Sequence, residues 1–332
     1  MSLKISFAGK SDRGLVREGN EDSFRIDPDS NLVMVCDGMG GHQAGEVASK
    51  DACDIISYCF SSLAEDLIND SALAVPAHFP REGDLLAKAI RMANRSIYIR
   101  SRSRSDFTGM GTTVVAAVLQ GDLINIAHVG DSRIYRLTES GLVALTADHS
   151  WVSELKRSGQ FSDEEAERMV GKNVITRALG VNERVEIDLR ADKLHPGEIY
   201  ILCTDGLCGY ADDYEIYMAA KNCHGDINLI VDNLIQLAND HGGQDNVTIA
   251  AIRIDEVDGD PAVEDIKPVT LTVEGDDALL RENQIIEAMV KSREKTEQIL
   301  IGREKQKKGA PLALIFALFI VIASLIIYLV SK

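Results

Sequence analysis

Four short acidic segments, far apart in the chain, contain the side chains best suited to chemistry. They are residues 19–22, 36–42, 203–206 and 243–246. Asp37 and Asp205 follow apolar, strand-like runs, and Asp245 precedes one. Carboxylates at strand ends are held on rigid backbone, and carboxylates that converge repel one another unless cations lie between them. Because hard oxygen ligands of this kind suit Mg²⁺ or Mn²⁺, the pattern predicts a metal-assisted hydrolase.

The glycine-rich stretch after Asp37 has two interpretations. Glycine lets the backbone approach an ion closely, so the carbonyl group of Gly38 is a candidate metal ligand. A strand, a glycine-rich loop and a helix also describe a dinucleotide fingerprint. The glycine spacing does not match that fingerprint, since the next glycine after Gly40 and Gly41 is Gly45. An aspartate beside the loop would also repel a pyrophosphate unless a metal ion intervened, which favours the metal interpretation.

Arg17 lies four residues before Glu21 and is the candidate anion-binding side chain. A guanidinium group forms paired hydrogen bonds with phosphate oxygens. Beside a carboxylate cluster it would bind an anion that also touches the metal ions. Considered alone, a single arginine is more often an ordinary surface residue.

The composition argues against one class of partner and indicates the state of the thiols. The chain of 332 residues has a formal net charge of −17, and a surface of that sign repels phosphate backbones, which argues against nucleic-acid binding. No two of the six cysteines have zinc-ligand spacing. We therefore expect buried, reduced thiols in a cytoplasmic protein rather than disulfides.

Apolar patterns over residues 1–254 predict alternating strands and helices. The strand candidates are Leu32–Cys36, Thr113–Leu119, Leu123–Val129, Ser132–Thr138, Val185–Leu189, Ile199–Cys203 and Val247–Ile254. The helix candidates are Ala44–Phe60, Asp84–Ser101, Asp213–Lys221 and Ile227–His241. Meander-like strands with grouped helices favour a layered, antiparallel α+β architecture. The polar composition of residues 61–83 predicts a surface insertion.

The last part of the sequence predicts membrane attachment. Residues 309–331 carry no charge and are rich in Leu, Ile, Ala, Phe and Val, and about 20 apolar residues suffice for a membrane-spanning helix. Basic residues precede this stretch and only Lys332 follows it, so the positive-inside tendency assigns everything before Gly309 to the cytoplasm. We expect a single-pass, tail-anchored protein of the cell membrane, with an acidic linker and helical stalk over residues 255–308.

Six segments, in order, resemble the motifs of bacterial metal-dependent protein Ser/Thr phosphatases of the type 2C family. They are residues 11–23, 35–42, 108–113, 128–133, 202–207 and 243–248. The resemblance implies that residues 1–254 form a phosphatase domain. Its fold would be a four-layer αββα sandwich of two antiparallel sheets flanked by helices, with the metal ions at one end. Residues 151–179 would form the variable flap beside the site.

The resemblance also implies an activity, the hydrolysis of phosphoserine and phosphothreonine in proteins by a hydroxide that bridges two Mn²⁺ or Mg²⁺ ions. By position, Asp37 would bridge the two ions and Gly38 would donate its carbonyl group to one of them. Asp205 and Asp245 would hold the other ion. A hydroxide held in this way would attack the phosphorus atom directly, so no covalent phosphoenzyme is needed.

Further roles follow from the same resemblance. Glu21 and Asp22 would act on the metal ions directly or through water, and Asp131 matches the position that binds a third ion in bacterial members. Arg17 would grip the phosphate. The histidine of the animal-type second motif is absent here; His42 lies nearby, as in bacterial relatives. The proton donor is therefore His42, a water of the third metal or solvent, and an equal alternative is that His42 is structural.

The implied partners are phosphorylated proteins, and the predicted anchor adds a membrane Ser/Thr kinase or its substrates as a hypothesis from location. An alternative function is a catalytically inactive signalling scaffold with the same fold. Loss of the ligand carboxylates would mark such a protein. None of the main ones is missing from this sequence.

Overall fold

The computed structural model describes residues 3–40, 44–70, 79–103, 105–158, 174–258, 266–272 and 279–289. The chain divides into two compact units, Met1–Leu279 and Leu280–Lys332. The first unit contains the strands and helices given below. Of the second unit, residues 280–289 are described, and they are helical.

The described residues form twelve strands. They are β1 (Leu3–Asp12), β2 (Asp22–Asp27), β3 (Leu32–Met39), β4 (Gly111–Thr112), β5 (Val114–Gln120), β6 (Leu123–Val129), β7 (Arg133–Thr138), β8 (Gly141–Ala144), β9 (Ile187–Lys193), β10 (Ile199–Cys203), β11 (Val247–Val257) and β12 (Ile266–Leu271). All the strand pairings are antiparallel. One sheet has the order β12-β9-β6-β5-β3-β2 with β4 beside β3, and the other has the order β1-β11-β10-β7-β8.

The two sheets pack face to face, and the alternation of side chains along β10 and β11 shows how. Tyr200 and Leu202 of β10 join the core between the sheets. Their neighbours Ile201 and Cys203 point to the opposite face and join a second core, against helices. Both faces are covered, so these strands read as continuous apolar runs rather than alternating ones.

Helices cover the two outer faces. They are α1 (Ala44–Ser62), α2 (Ala64–Ile68), α3 (Arg81–Ser103), α4 (Trp151–Ser158), α5 (Asp205–Cys208), α6 (Asp213–Lys221) and α7 (Ile227–Asp240), with a short 3₁₀ turn at Ser105–Phe107. Helices α1 and α3 pack on the seven-stranded sheet, and α7 packs on β1 and β11. Asp212 forms a capping box with Glu215 at the start of α6, which satisfies amide groups that have no partner within the helix.

The expected α+β sandwich of two antiparallel sheets with flanking helices is confirmed, and the predicted strands and helices are present with shifted ends. The largest shift is in β9, which runs from Ile187 to Lys193 rather than over Val185–Leu189. Strands β1 and β2 were not among the predicted strands. Both are half-exposed along much of their length, so their sequences lack a long apolar run.

Two segments contain more regular structure than the sequence interpretation assigned to them. Strand β12 lies inside the predicted linker 255–308 and pairs with β9. The predicted insertion 61–83 contains α2, whose Leu67 side chain is fully buried; its residues 71–78 lie outside the described part of the chain. Each short element forms because a neighbouring sheet or helix supplies partners that periodicity alone does not reveal.

The predicted flap and the predicted membrane span are described only in part or not at all. Helix α4 begins the flap region, and its residues 159–173 lie outside the described ranges. Residues 309–331 also lie outside them. Among the helices that the structure does describe, none is long and apolar enough to cross a membrane.

Candidate active site

Two carboxylates lie side by side where β2 and β3 meet. Asp22 begins β2, and it is paired with Asp37 of β3 across the antiparallel ladder. Residues that are directly opposite in such a ladder project their side chains on the same face of the sheet. The pairing register therefore makes neighbours of two acidic groups that are separated by a turn in the sequence.

Asp205 brings the other sheet to the same place. It follows β10 and lies so close to Asp37 that, together with burial and the charge of Asp22, its charge raises the pKa of the Asp37 carboxyl group. The Oδ2 atom of Asp22 accepts hydrogen bonds from the hydroxyl groups of Thr204, at 3.0 Å, and Thr248, at 2.7 Å. Neighbouring residues of β10 and β11 thus hold a carboxylate that belongs to the opposite sheet.

Asp131, Asp245 and Arg17 complete the group. Asp131 lies between β6 and β7, where the charge of Asp205 acts on it. Asp245 precedes β11, and its Oδ2 atom accepts a hydrogen bond of 2.7 Å from the Arg17 guanidinium group. The Arg17 side chain is 52% exposed, against 17% for Asp245. The positive charge of Arg17 therefore lies on the exposed side of acidic side chains that are largely buried.

The carboxyl groups shift one another's pKa. Burial and the charges of Asp205 and Asp245 raise the pKa of Asp22 to about 7, although two hydroxyl hydrogen bonds oppose the shift. Burial and the charge of Asp205 likewise raise the pKa of Asp131 to about 7. For Asp37, burial and the charges of Asp22 and Asp205 raise the pKa well above its ordinary value. Without cations the folded chain retains protons here at a pH where ordinary carboxyl groups have lost them.

Two buried oxygen atoms in this group have no hydrogen-bond partner within the described structure, Oδ1 of Asp22 and Oδ1 of Asp205. A buried polar atom without a partner is costly, and a divalent cation would remove that cost. Carboxylate oxygens are the ligands that Mn²⁺ and Mg²⁺ prefer. The donor set and its unpartnered oxygens therefore fit divalent ions.

Two glycines let the backbone segments of the site approach closely. A Cβ atom at Gly38 would overlap the carbonyl oxygens of Gly45 and Glu21, and the Gly38 amide donates to that Glu21 oxygen at 3.2 Å. A Cβ atom at Gly206 would overlap the carbonyl oxygen of Asn246. The glycine of each Asp-Gly pair is therefore needed because a side chain would not fit at the site, and not only because of the local turn.

The Asn246 side chain ties the Arg17 loop to the site, a role that the sequence interpretation missed. Its Oδ1 accepts from the amide of Glu21 at 2.8 Å, and its Nδ2 donates to the carbonyl oxygens of Arg13 and Gly19, both at 2.9 Å. These bonds fix both ends of the loop that carries Arg17. The available signal was a polar side chain next to Asp245 at the start of an apolar strand.

Hydroxyl groups fix the backbone around Asp37, and these too were missed. Thr113 Oγ1 accepts from the Asp37 amide at 3.0 Å and lies 2.7 Å from Ser132 Oγ. Thr112 Oγ1 donates to the Asp37 carbonyl oxygen at 2.8 Å. The two threonines directly precede β5 in the sequence, a position where buried hydroxyl groups need partners.

A cavity of about 380 Å³ opens beside the carboxylates. Asp131 and Asp205 line one side, and Ser153 and Lys156 of α4 line another. Tyr210 also lines it, and the Tyr210 side chain is partly exposed. The cavity offers room for a bound molecule beside the acidic group.

The predicted site residues can now be placed. Asp22, Asp37, Asp131, Asp205 and Asp245 lie together. Glu21 joins them as a half-buried group: burial raises its pKa, as does the charge of Asp245, while Arg17 lowers it. Gly38 is packed against the Glu21 backbone. His42 lies outside the described residues, so its role stays a prediction.

Comparison with known proteins shows the family to which this chain belongs. A family profile described as Protein phosphatase 2C matches residues 14–226. The serine/threonine phosphatase stp of Listeria monocytogenes serotype 4b is 36% identical over 249 residues, which are 74% of this chain and 94% of that protein. The chain belongs to the protein phosphatase 2C family. It is a serine/threonine protein phosphatase of the metal-dependent type, and the resemblance inferred from the motifs is confirmed.

Other members of the protein phosphatase 2C family extend the comparison to solved structures. PstP of Mycobacterium tuberculosis is 35% identical over 270 residues, which are 78% of this chain and 46% of PstP. The crystal structure of the PstP catalytic domain, in complex with two manganese ions, is 34% identical with a TM-score of 0.64. The alignment covers 77% of this chain and all of that one. A two-ion site in a relative agrees with the acidic group found here.

Proposed function

We propose that this protein hydrolyses phosphoserine and phosphothreonine in proteins at the cytoplasmic face of a membrane. The observation that supports it most is the acidic group formed by Asp22, Asp37, Asp131, Asp205 and Asp245. These carboxylates lie together with raised pKa values and unpartnered oxygens. Such a group is stable as a set of anions only with divalent cations.

The residues that would hold the ions follow from their position. Asp37, on which the charges of both Asp22 and Asp205 act, would contact two Mn²⁺ or Mg²⁺ ions, with Asp205, Asp245 and the Gly38 carbonyl group completing their ligands. When bound, the ions would lower the pKa of a shared water and neutralise phosphate charge. Asp131, next to Asp205, would hold a third ion.

The chain itself would bind and orient the substrate. Arg17 would bind the phosphate through its exposed guanidinium group, whose direction is set by the hydrogen bond to Asp245. The delocalised positive charge of this guanidinium group, next to the phosphate oxygens, would stabilise the negative charge that grows on them as the phosphorus–oxygen bond breaks. The hydroxyl groups of Thr204 and Thr248 hold Asp22 in one orientation through its Oδ2 atom and leave its Oδ1 atom without a partner. His42 stays a candidate proton donor.

A turnover assay separates this proposal from the alternative, an inactive signalling scaffold. The full-length chain is incubated with a phosphothreonine peptide and Mn²⁺, then with a chelator in excess. We expect turnover that the chelator stops, and we expect Asp37→Asn to lower kcat by about 100-fold or more. Asp232→Asn, on the exposed face of α7, is the matched control and should retain full activity. Undiminished turnover in chelator contradicts the metal mechanism, and no turnover with Mn²⁺ supports the scaffold.

The membrane location rests on the charge-free apolar residues 309–331 and the basic residues before them. An anchor would raise the effective concentration of membrane-bound substrates, among which a membrane Ser/Thr kinase and its targets are natural candidates. Deleting residues 309–332 should release the protein from the membrane fraction without loss of turnover on a soluble peptide. Persistent membrane association of the shortened chain would refute the anchor.

A further inference from the structure

A buried pair of histidines lies close to the acidic group but takes no part in it. The rings of His128 and His149 stack with centroids 4.6 Å apart and planes at 17°. Both side chains are buried, and the Nε2 atom of His149 lies 3.2 Å from Asp188 Oδ2. The ligand atoms of these three residues lie within 4.8 Å of one another. That spacing alone would suit a metal ion.

The hydrogen bonds of His149 argue against a metal ion at this point. The backbone amide of Gly130 donates to His149 Nδ1 at 3.1 Å, so Nδ1 carries the lone pair and Nε2 carries the proton. A protonated Nε2 cannot bind a cation; it donates to Asp188 instead. Arg177 Nη1 lies 3.3 Å from Nε2 and 3.2 Å from the other oxygen of Asp188. Because Nε2 carries the proton that Asp188 accepts, Arg177 donates to Asp188 rather than to the ring, and its guanidinium group supplies the positive charge that a metal ion would bring.

His149 forms two hydrogen bonds with Gly130, the residue before Asp131. Besides the bond to Nδ1, the backbone amide of His149 donates to the Gly130 carbonyl oxygen at 2.9 Å. Gly130 has a φ of 111°, a conformation open mainly to glycine, and a Cβ atom there would lie 2.6 Å from Thr113. The turn that carries Asp131 is thus held between His149 and the threonine that binds the Asp37 amide.

Asp188 determines which ring nitrogen of His149 carries the proton. Partial burial raises the pKa of Asp188, but hydrogen bonds from His149 and Thr270 outweigh this effect and hold that pKa below its ordinary value. An ionised Asp188 accepts from Nε2 and so keeps the proton off Nδ1. The acceptor for the Gly130 amide is therefore present as long as Asp188 stays in place.

We propose that His149, oriented by Asp188, is a positioning residue that holds the Gly130–Asp131 turn and thereby fixes the carboxylate of Asp131 for its cation. The inference rests on the proposed function, in which Asp131 holds the third ion. His149 touches neither the substrate nor the ions. Its effect reaches the site through the backbone of a single residue, Gly130.

Two substitutions of similar size distinguish positioning from general structural support. His149→Asn places an amide oxygen near the position of Nδ1 and can still accept from the Gly130 amide. His149→Gln reaches toward the position of Nε2 and leaves that amide without an acceptor. Mn²⁺ binding to the full-length protein is measured by the EPR signal of free Mn²⁺ during a titration, with Asp131→Asn as the reference that lacks the Asp131-dependent ion.

We expect His149→Gln to weaken Mn²⁺ binding at the Asp131-dependent site by about tenfold or more, the usual effect of removing a residue that orients a metal ligand. Binding of the other ions should stay unchanged. His149→Asn should stay within about threefold of the unsubstituted protein. Equal Mn²⁺ affinities in the two variants overturn the inference. So does a protein with full peptide turnover in which Asp131→Asn loses no ion, a result that leaves the proposed function standing.

A measurement on the unsubstituted chain covers the case in which His149→Gln does not fold. Long-range ¹H–¹⁵N NMR spectra of the metal-free, full-length protein report which ring nitrogen of each histidine carries the proton. We expect the Nε2–H tautomer for His149. An Nδ1–H tautomer is incompatible with the bond from Gly130 and would overturn the inference without any variant.

Discussion

Arg17 faces solvent at the site, and a carboxylate directs its positive charge. Its guanidinium group donates to Asp245, so it is oriented before a phosphate arrives. Preorganisation of this kind lowers the cost of binding. An exposed ion pair contributes little to stability, so the proposed role of Arg17 is to bind substrate and not to stabilise the fold.

Arg17→Ala should therefore raise KM for a phosphothreonine peptide by about 10- to 100-fold, the loss of a charged hydrogen-bonding partner. Arg17→Lys should lie between, since an ammonium group cannot form the paired contact. The control is Arg13→Ala, in the same loop and also exposed. Steady-state kinetics with saturating Mn²⁺ measure the effect. A KM that is unchanged in Arg17→Ala, with kcat also unchanged, would remove Arg17 from the substrate site.

The sequence predicts the acidic residues of the site because their type and their position beside apolar runs are both visible. It does not predict the residues that hold them. Thr204 and Thr248 bind one oxygen of Asp22 only because β10 and β11 pair in a particular register. Registers follow from tertiary packing, so a hydroxyl group's partner across two sheets has no local signal.

At the scale of whole elements, the short helix α5 is placed by close contact with the strand that follows Asp245. Gly206 lies in α5, and a Cβ atom there would overlap the Asn246 carbonyl oxygen. That oxygen belongs to backbone at the start of β11, which has little freedom to move. The spacing between α5 and β11 therefore sets the distance between Asp205 and Asp245.

Gly206→Ala should lower the free energy of unfolding by about 1–3 kcal/mol, the usual cost of overpacking, and should also lower turnover. Gly141→Ala is the matched control, because no atom lies within 4 Å of a Cβ atom at that position; its effect should stay within about 0.5 kcal/mol. Urea unfolding in chelator gives both values. Equal stabilities for the two variants would mean that α5 is not held by this contact.

The strands that the sequence predicts are those in which burial on both faces produces an apolar run, such as β3 and β10. The strands that it misses have mixed patterns. β1 alternates Lys, Ser and Gly with apolar residues, and β12 lies in an acidic segment where its exposure is high. Each of these edge strands forms because a neighbour offers unpaired backbone groups, a condition that is set by the rest of the sheet.

At the scale of the molecule, the acidic group couples folding to protons and to metal ions. Asp22 and Asp131 have pKa values of about 7 in the folded protein, against 3.8 for an ordinary aspartate. Between those values the folded chain binds more protons than the unfolded chain. Stability falls with rising pH wherever this holds, so these two groups destabilise the metal-free protein progressively between about pH 4 and pH 7.

Divalent ions should reverse this dependence, because they bind the deprotonated carboxylates and compete with protons. In chelator, the midpoint of thermal unfolding should fall as the pH rises from about 5.5 and should level off by about pH 8, where both groups have lost their protons in the folded chain as well. At a free Mn²⁺ concentration of about 100 times Kd, the stabilisation should be about 2.7 kcal/mol per site. At a fixed Mn²⁺ concentration it should grow with pH, because Kd falls as the carboxylates lose their protons.

Asp131→Asn removes one of the two groups and should flatten the fall in chelator, whereas Asp232→Asn, an exposed carboxylate paired with Lys10, should leave it unchanged. Calorimetry of the full-length unsubstituted protein and the two variants at several pH values, with and without Mn²⁺, supplies the six curves. If the metal-free protein became more stable from pH 5.5 to 8, or if Asp131→Asn followed the same slope as the control, protons would not be stored at this site. The carboxylates would then be separated well enough to ionise alone, and a divalent ion would have far less repulsion to relieve.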